Sequence, residues 1–217
     1  MGPAQMKEHW EKVHTSKREA DVSWFQEHAR LSLQLIRDSG VPTDAAIIDV
    51  GAGASRFVDD CLREGYRHLS VLDVSAAALA TVRARLGERA GEVHWLEANV
   101  LDAALPAHAY DVWHDRAVFH FLTDPSDRQA YVQQVLRAVK PGGLVIVATF
   151  AEDGPTLCSG LPVMRYSPSA LHAEFGAAFQ LLGHRRETHQ TPTGKEQPFV
   201  YCLWRTNPGA LEASPED

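Results

Sequence analysis

Short apolar runs alternate with amphipathic stretches along most of this chain. The apolar runs at 46–50, 68–73, 93–96, 110–114 and 144–150 have the length of buried parallel strands. Between them, apolar residues recur at helical spacing over 56–64, 76–86 and 126–138. Gly65 and the segment 140–143 supply the turn signals that end two of these helices. The alternation predicts an α/β protein with a doubly wound, mostly parallel sheet and helices on both faces.

The two ends of the chain extend this pattern. Two helices are predicted within residues 5–38, the second over 23–38. A helix at 169–175 and two late strands at 179–188 and 198–205 follow the fifth strand. We therefore expect an N-terminal helical cap at 1–40, a core at 41–206 and a disordered tail at 207–217.

Composition and charge narrow the class of protein. A chain of 217 residues with 45% hydrophobic residues is long enough for one domain with a full core. Its net charge of −7 argues against a nucleic-acid partner, because phosphates require clustered Lys and Arg. No apolar run approaches the ~20 residues of a membrane span, and the polar start lacks a signal-peptide core. We expect a cytoplasmic protein with no membrane partner; the oligomeric state stays open.

The three cysteines add no site of their own. Cys61, Cys158 and Cys202 are far apart, with neither zinc-site spacing nor a disulfide framework. No metal is expected.

A small-residue turn, Gly51-Ala52-Gly53-Ala54-Ser55, follows the first strand. In a parallel sheet the carboxyl end of that strand is where nucleotide-like ligands bind. The third glycine of the dinucleotide fingerprint is missing. Asp73, which ends the second strand, can accept hydrogen bonds from ribose hydroxyls, as both a dinucleotide and S-adenosylmethionine would require. These residues alone leave both ligands open.

Five segments occur together in a recognisable order and spacing: 50–53, 72–75, 97–100, 110–112 and 136–143. Over residues 20–206 the chain resembles the class I S-adenosylmethionine-dependent methyltransferases. The resemblance implies a seven-stranded sheet whose last two strands form an antiparallel hairpin. It also implies S-adenosyl-L-methionine as the cofactor and S-adenosyl-L-homocysteine as the product.

The same resemblance implies a set of cofactor-binding residues. Four would line the methionine part: Asp49, Gly51, Ala52 and Gly53. Asp73 would hold the ribose hydroxyls, Val74, Asn99 and Val100 would contact the adenine, and Asp115 would face the transferred methyl. Asn99 departs from the aspartate that is common in the family, although its side-chain oxygen can still accept a hydrogen bond from an exocyclic amine.

The N-terminal residues 9–13 and 22–25 resemble those of small-molecule methyltransferases and of some protein-lysine methyltransferases. In those proteins an N-terminal pair of aromatic residues covers the cofactor. The resemblance therefore makes Trp24, next to Phe25, a candidate lid residue. Packing of both rings against the sheet edge is the alternative.

Candidate catalytic residues follow the fourth strand, where the acceptor would lie. Methyl transfer chiefly requires alignment of donor and acceptor, and it needs a base only if the nucleophile arrives protonated. His114, Asp115 and His120 are the candidates, with a structural, hydrogen-bonded role as the alternative for His120. Four residues are candidates to bind the acceptor: Arg116, Cys158, Arg165 and Tyr166. The polar run 184–189 is interpreted as a solvated edge.

Together these features predict an enzyme that methylates a small molecule by in-line displacement. A thiol or related chalcogen nucleophile is preferred, since a thiolate needs no strong base. One alternative is a protein-lysine methyltransferase, although the acid-lysine-glycine run usual in those proteins is absent after the fourth strand. Another is a nucleotide-binding module or oxidoreductase on the same fold, because one scaffold hosts many functions.

Overall fold

The computed structural model describes residues 2–208. These residues form six α-helices: α1 (Pro3–Ser16), α2 (Arg30–Asp38), α3 (Phe57–Arg63), α4 (Ala76–Leu86), α5 (Pro125–Ala138) and α6 (Pro168–Phe175). The same part of the chain contains nine strands: β1 (Ala46–Val50), β2 (His68–Asp73), β3 (Val93–Glu97), β4 (Tyr110–Arg116), β5 (Val139–Phe150), β6 (Leu157–Cys158), β7 (Leu161–Pro162), β8 (Phe179–Gln190) and β9 (Glu196–Thr206). Single-turn 3₁₀ helices lie at Glu19–Asp21 and Phe119–Phe121, and a longer one at Gly87–Glu92.

Seven of the strands form one sheet in the order β3-β2-β1-β4-β5-β9-β8. Neighbours from β3 to β5 are parallel, and β9 pairs antiparallel with both β5 and β8. The predicted doubly wound sheet with a C-terminal antiparallel hairpin is therefore confirmed. The short β6–β7 hairpin, which the sequence analysis missed, lies apart from the main sheet.

The strand order places a crevice at one edge of the sheet. The chain runs outward from β1 through β2 to β3 and then crosses back to place β4 on the other side of β1. At such a reversal the loops after the two neighbouring strands diverge, which leaves a crevice at their carboxyl ends. Here that crevice lies between the loops that follow β1 and β4.

Alternation along the strands fills a core on each face of the sheet. Trp113 of β4 joins one cluster with Tyr131 of α5, and its neighbour Val112 joins the other with Phe57 of α3. The central strands read as nearly continuous apolar runs because both faces are covered by helices. The two cores hold β1 and β4 rigidly beside each other.

Two predicted elements differ in the structure. The helix expected over 23–38 begins only at Arg30, because the backbone N–H of Ala29 donates to buried Asp60 Oδ2 at 2.8 Å. The turn expected at 140–143 lies within β5, where the pairing with β4 shifts register between Tyr110 and Val112. Both features depend on contacts between residues far apart in the sequence, and a local pattern does not contain such contacts.

Within residues 2–208, no helix is both long and apolar enough to cross a lipid bilayer. The cytoplasmic location stays a prediction. Of the predicted tail, residues 209–217 lie outside the described part of the chain, whereas the Asn207 N–H donates to Ala178 O at 2.9 Å.

Candidate functional site

The main pocket lies in the crevice beyond the carboxyl ends of β1, β2 and β4, and α1 lies across it. Most residues predicted to form the site line this pocket: Trp24, Asp49, Gly51, Ala52, Gly53, Asp73, Val74, Asn99, Val100, His114, Arg116 and Cys158. Asp115, His120, Arg165 and Tyr166 do not line it. The pocket therefore combines the glycine turn with candidates from β2, from β4 and from the loop after β3.

The turn after β1 brings the backbone against a neighbouring side chain. Gly51 has a φ of 58°, in the left-handed region, and a Cβ built there would lie 2.0 Å from Val118 Cγ2. Glycine alone meets both demands, since it tolerates positive φ and has no Cβ. The turn is fixed to β2 by the Ala52 N–H, which donates to Leu72 O at 3.2 Å.

Asp73, at the end of β2, connects this turn to α4. Its carboxylate accepts hydrogen bonds from Gly53 N at 2.7 Å and from Ser75 N at 2.8 Å. Burial raises the pKa of Asp73 to about 6, and the charge of Asp49 acts in the same direction. A carboxylate has about four acceptor positions, so two remain for a ligand. Its place on the pocket wall suits ribose hydroxyls.

Asp49 and His114 form a buried chain with Ser32 of α2. His114 Nδ1 lies 2.7 Å from Asp49 Oδ1, and its Nε2 lies 2.8 Å from Ser32 Oγ. The imidazole stacks on Phe57 with a centroid distance of 4.0 Å. Asp49 Oδ2 is buried and finds no hydrogen-bond partner among the described residues. That free acceptor lies on a residue that lines the pocket.

Asp115 lies behind the pocket wall, inside β4 and not after it. Its carboxylate accepts from Tyr131 Oη at 2.6 Å, Val118 N at 2.9 Å and Phe119 N at 3.1 Å. Burial raises the pKa of Asp115 to about 6. These bonds fix the turn that carries Val118 into the pocket, so the structure gives Asp115 a shaping position rather than direct access to a ligand.

His120 is also fully buried behind the wall. Its Nδ1 accepts from the Phe150 N–H at 3.3 Å, and burial lowers its pKa to about 3. Its Nε2 has no partner among the described residues. The imidazole is therefore neutral at physiological pH.

Arg116 connects three parts of the molecule at one end of the pocket. Its Nε donates to Tyr201 Oη at 2.9 Å, its Nη1 donates to Trp24 O at 3.2 Å, and its guanidinium lies over Phe199 at 4.3 Å. Glu187 accepts a hydrogen bond from Tyr201 Oη at 2.9 Å. The solvated-edge interpretation of 184–189 is therefore wrong for Glu187, which belongs to this network.

The predicted acceptor-binding residues separate in the structure. Cys158 lines the pocket, and burial raises the pKa of its thiol to about 12. Arg165 instead donates to Gly154 O at 3.3 Å, and Tyr166 donates to Glu174 at 3.3 Å. Asn99 lines the pocket, with its side-chain oxygen accepting from Leu101 N at 3.1 Å.

Helix α1 closes the pocket through polar contacts at successive turns. Lys7 Nζ donates to Glu97 at 2.6 Å, and Glu11 accepts from Ser75 Oγ at 2.7 Å. Beyond the helix, Glu19 pairs with Arg56 and Arg85. Most of this wall was not predicted from the sequence; its additional lining residues include Met6, Trp10, His14, Glu19, Val118 and Phe121.

The charges of the lining residues favour one of the two ligands considered from the sequence, a dinucleotide and S-adenosylmethionine. Three lining side chains are acids, Glu19, Asp49 and Asp73, against one arginine, Arg116. A pyrophosphate would meet this negative wall, whereas an ammonium and a sulfonium suit it. The unpartnered Asp49 Oδ2 fits an ammonium, and the open acceptor positions of Asp73 fit a ribose. The residues present therefore fit S-adenosylmethionine.

Comparison with known proteins finds similarity to methyltransferases. A family model described as a methyltransferase domain matches residues 47–143. EEF1A lysine methyltransferase 2 of Danio rerio is 26% identical over 157 residues, which cover 66% of this chain and 67% of that protein. The ubiquinone biosynthesis O-methyltransferase of Klebsiella pneumoniae is 29% identical over 161 residues, covering 71% of this chain and 63% of that protein.

A solved structure shares the fold over nearly the whole chain. The Burkholderia thailandensis 1,6-didemethyltoxoflavin-N1-methyltransferase, solved with S-adenosylhomocysteine, has a TM-score of 0.70 at 19% identity and covers 95% of this chain and 91% of that one. The matched domain, the shared fold and the pocket agree with one another. Residues 47–143 thus match a methyltransferase domain, the described residues have the fold of the class I S-adenosylmethionine-dependent methyltransferases, and S-adenosylmethionine is the cofactor.

Proposed function

We propose that the protein methylates a small molecule and that the acceptor atom is a thiol or related chalcogen. When bound, S-adenosylmethionine supplies an electrophilic methyl carbon on a sulfonium whose leaving group is a neutral thioether. The protein's part is to hold the donor, align the acceptor and exclude water.

The observation that carries the thiol preference is that neither of the two candidate histidines after β4 is a free base in the pocket. Both nitrogens of His114 are engaged. His120 lies outside the lining with a pKa of about 3, far from the operating pH at which a general base works best. A thiol has a pKa of about 8.5, so part of it arrives as thiolate without help from the protein. We therefore assign positioning roles to His114, Asp115 and His120.

The covered pocket favours a small acceptor over a protein. Helix α1 lies across the crevice, fixed by Lys7 and Glu11. A polypeptide side chain would need an open channel beside this cover. The Burkholderia enzyme, described with bound 1,6-didemethyltoxoflavin, offers a small-molecule precedent on the same fold.

A panel of acceptors tests the chemistry of the acceptor atom. Purified protein with methyl-labelled S-adenosylmethionine would be offered small thiols, phenols and amines of matched size. We expect labelled thioethers, formed at rates that rise as the pH approaches the pKa of each thiol. Labelling of phenols or amines without any thioether would overturn the thiol preference.

A protein-lysine acceptor is the second candidate, supported by the similarity to the Danio rerio lysine methyltransferase. Against it stands the sequence Asp115-Arg116-Ala117, where such proteins usually carry acid-lysine-glycine. Ala117 nevertheless has a φ of 72°, a left-handed conformation that glycine adopts more readily. Ala117 thus holds a backbone conformation that suits glycine, and Arg116, at the lysine position, donates to Trp24 O.

Within the same proposal, the cofactor contacts follow the pocket lining. Asp49 would accept from the ammonium and Asp73 from the ribose hydroxyls. Val74, Asn99 and Val100 would contact the adenine. Residues 1–40 would act as the cap of a core at 41–206, with Trp24 as part of the cover.

Cofactor affinity is expected to depend on pH through Asp73. Because bound ribose hydroxyls favour the carboxylate, binding should lower the Asp73 pKa from the value of about 6 in the free protein. Affinity should then fall as the pH drops below 6, by up to about tenfold per pH unit. Calorimetry between pH 5 and 7 measures this, and Asp73→Asn, which cannot titrate, should remove the slope. If Asp73→Asn kept the pH dependence of cofactor affinity seen in the wild-type protein, the titrating group would be another residue.

A further inference from the structure

Three aromatic rings meet at the covered end of the pocket. Trp10 of α1 lies edge-to-face with Phe121, at a centroid distance of 5.1 Å, and with Trp24 at 5.7 Å. All three side chains line the pocket. Two come from the N-terminal segment and Phe121 comes from the turn after β4. This aromatic cluster of Trp10, Trp24 and Phe121 thus forms only when the cover lies on the core.

The charges around the cluster favour a cation. The lining acids are Glu19, Asp49 and Asp73, whereas Arg116 is the one lining Lys or Arg side chain among the described residues. Arg116 is occupied by Tyr201 and Trp24 O and lies 3.6 Å from Glu187. Glu19 is likewise paired with Arg56 and Arg85. Among the described residues, Asp49 pairs only with His114, and no Lys, Arg or His pairs with Asp73. Aromatic faces attract cations through their quadrupoles, most strongly when water is excluded.

We infer that Trp10, Trp24 and Phe121 bind the positive charge of the donor's sulfonium and so distinguish S-adenosylmethionine from S-adenosylhomocysteine. This inference rests on the proposed function, because it requires the donor to occupy this pocket. The two ligands differ in the methyl group and the charge that it carries. A site that binds this charge has a higher affinity for the donor than for the neutral product, which it releases after transfer.

Calorimetry with three ligands tests the inference without measuring turnover. S-adenosylmethionine and sinefungin, whose protonated amine replaces the methylsulfonium, are cations at this position, and S-adenosylhomocysteine is neutral. Phe121→Leu and Trp10→Leu should each lower the affinity for both cationic ligands about tenfold. Each substitution should lower the affinity for S-adenosylhomocysteine less than twofold. Trp10→Phe retains a ring and should retain most of the discrimination.

Two controls separate charge recognition from packing. Trp95→Leu removes a tryptophan that does not line the pocket, and it should leave all three affinities unchanged. Thermal unfolding shows whether each variant is folded. Because Phe121 lies outside α1, the effect of Phe121→Leu cannot come from local unfolding of that helix.

Equal weakening of all three ligands would overturn the inference, because the rings would then contribute packing alone. Unchanged affinities for all three ligands in both leucine variants would also overturn it, because the rings would then not contact the cofactor. If the wild-type protein bound none of the three ligands, the proposed function itself would fail. These results are distinguishable in one titration series.

Discussion

Replacing Gly51 with alanine is expected to lower the free energy of unfolding by about 3 kcal/mol and to abolish measurable cofactor binding. The substitution places a Cβ 2.0 Å from Val118 Cγ2 on backbone with a φ of 58°. The backbone conformation costs a residue with a Cβ about 1–2 kcal/mol, and overpacking adds about 1–3 kcal/mol. Val118 cannot turn away easily, because a β-branched side chain has few rotamers and the turn is fixed by Asp115.

Gly87→Ala is the matched control for this substitution. Gly87 has a φ of 59°, nearly the same as Gly51, but a Cβ there would meet nothing within 4 Å. Denaturant unfolding of both variants therefore separates the cost of the backbone conformation from that of the clash. Equal destabilisation by the two substitutions would contradict the tight packing between Gly51 and Val118.

Asp73→Ala is expected to weaken S-adenosylmethionine binding roughly 100-fold or more. The substitution removes the proposed acceptor of two ribose hydroxyls, and hydrogen bonds to a charged group contribute about 1.5–3 kcal/mol each. It also leaves the N–H groups of Gly53 and Ser75 without their partner, which loosens the turn that forms the pocket floor. Calorimetry with purified protein measures the loss.

The control for Asp73→Ala is Asp153→Ala. Asp153 is an exposed acid that pairs with Arg186 and does not line the pocket. Its removal changes the net charge by the same amount and should leave cofactor affinity unchanged. A decrease of less than threefold in Asp73→Ala would place the ribose contact on another residue.

The sequence contained the parts of the site that depend on local geometry. The glycine turn after β1 and the acid at the end of β2 are visible as Gly51 and Asp73, because turn chemistry and strand length are local properties. Since parallel strands end at one edge of a sheet, their joint presence also predicted where the pocket lies. The family resemblance then predicted the cofactor, and the family match and the fit of the pocket confirm it.

The remaining parts depend on how distant segments pack. Trp10 was not among the predicted site residues, and only the placement of α1 over the crevice brings it beside Phe121. Glu187 was interpreted from the sequence as solvent-exposed, but pairing of β8 with β9 places Tyr201 beside it. His120 and Asp115 came soon after the predicted fourth strand, 110–114, which suggested reactive groups, but the true length of β4 and burial keep both side chains out of the pocket. No local pattern contains that information.

One measurement tests the central claim most directly. Methyl-labelled S-adenosylmethionine would be incubated with host extract and either wild-type protein or Asp73→Ala, and the label would then be separated into small-molecule and protein fractions. The account predicts label in the small-molecule fraction that depends on the wild-type protein. Label confined to a protein band would contradict the small-molecule claim and favour the lysine methyltransferase, and cofactor binding without any transfer would contradict catalysis.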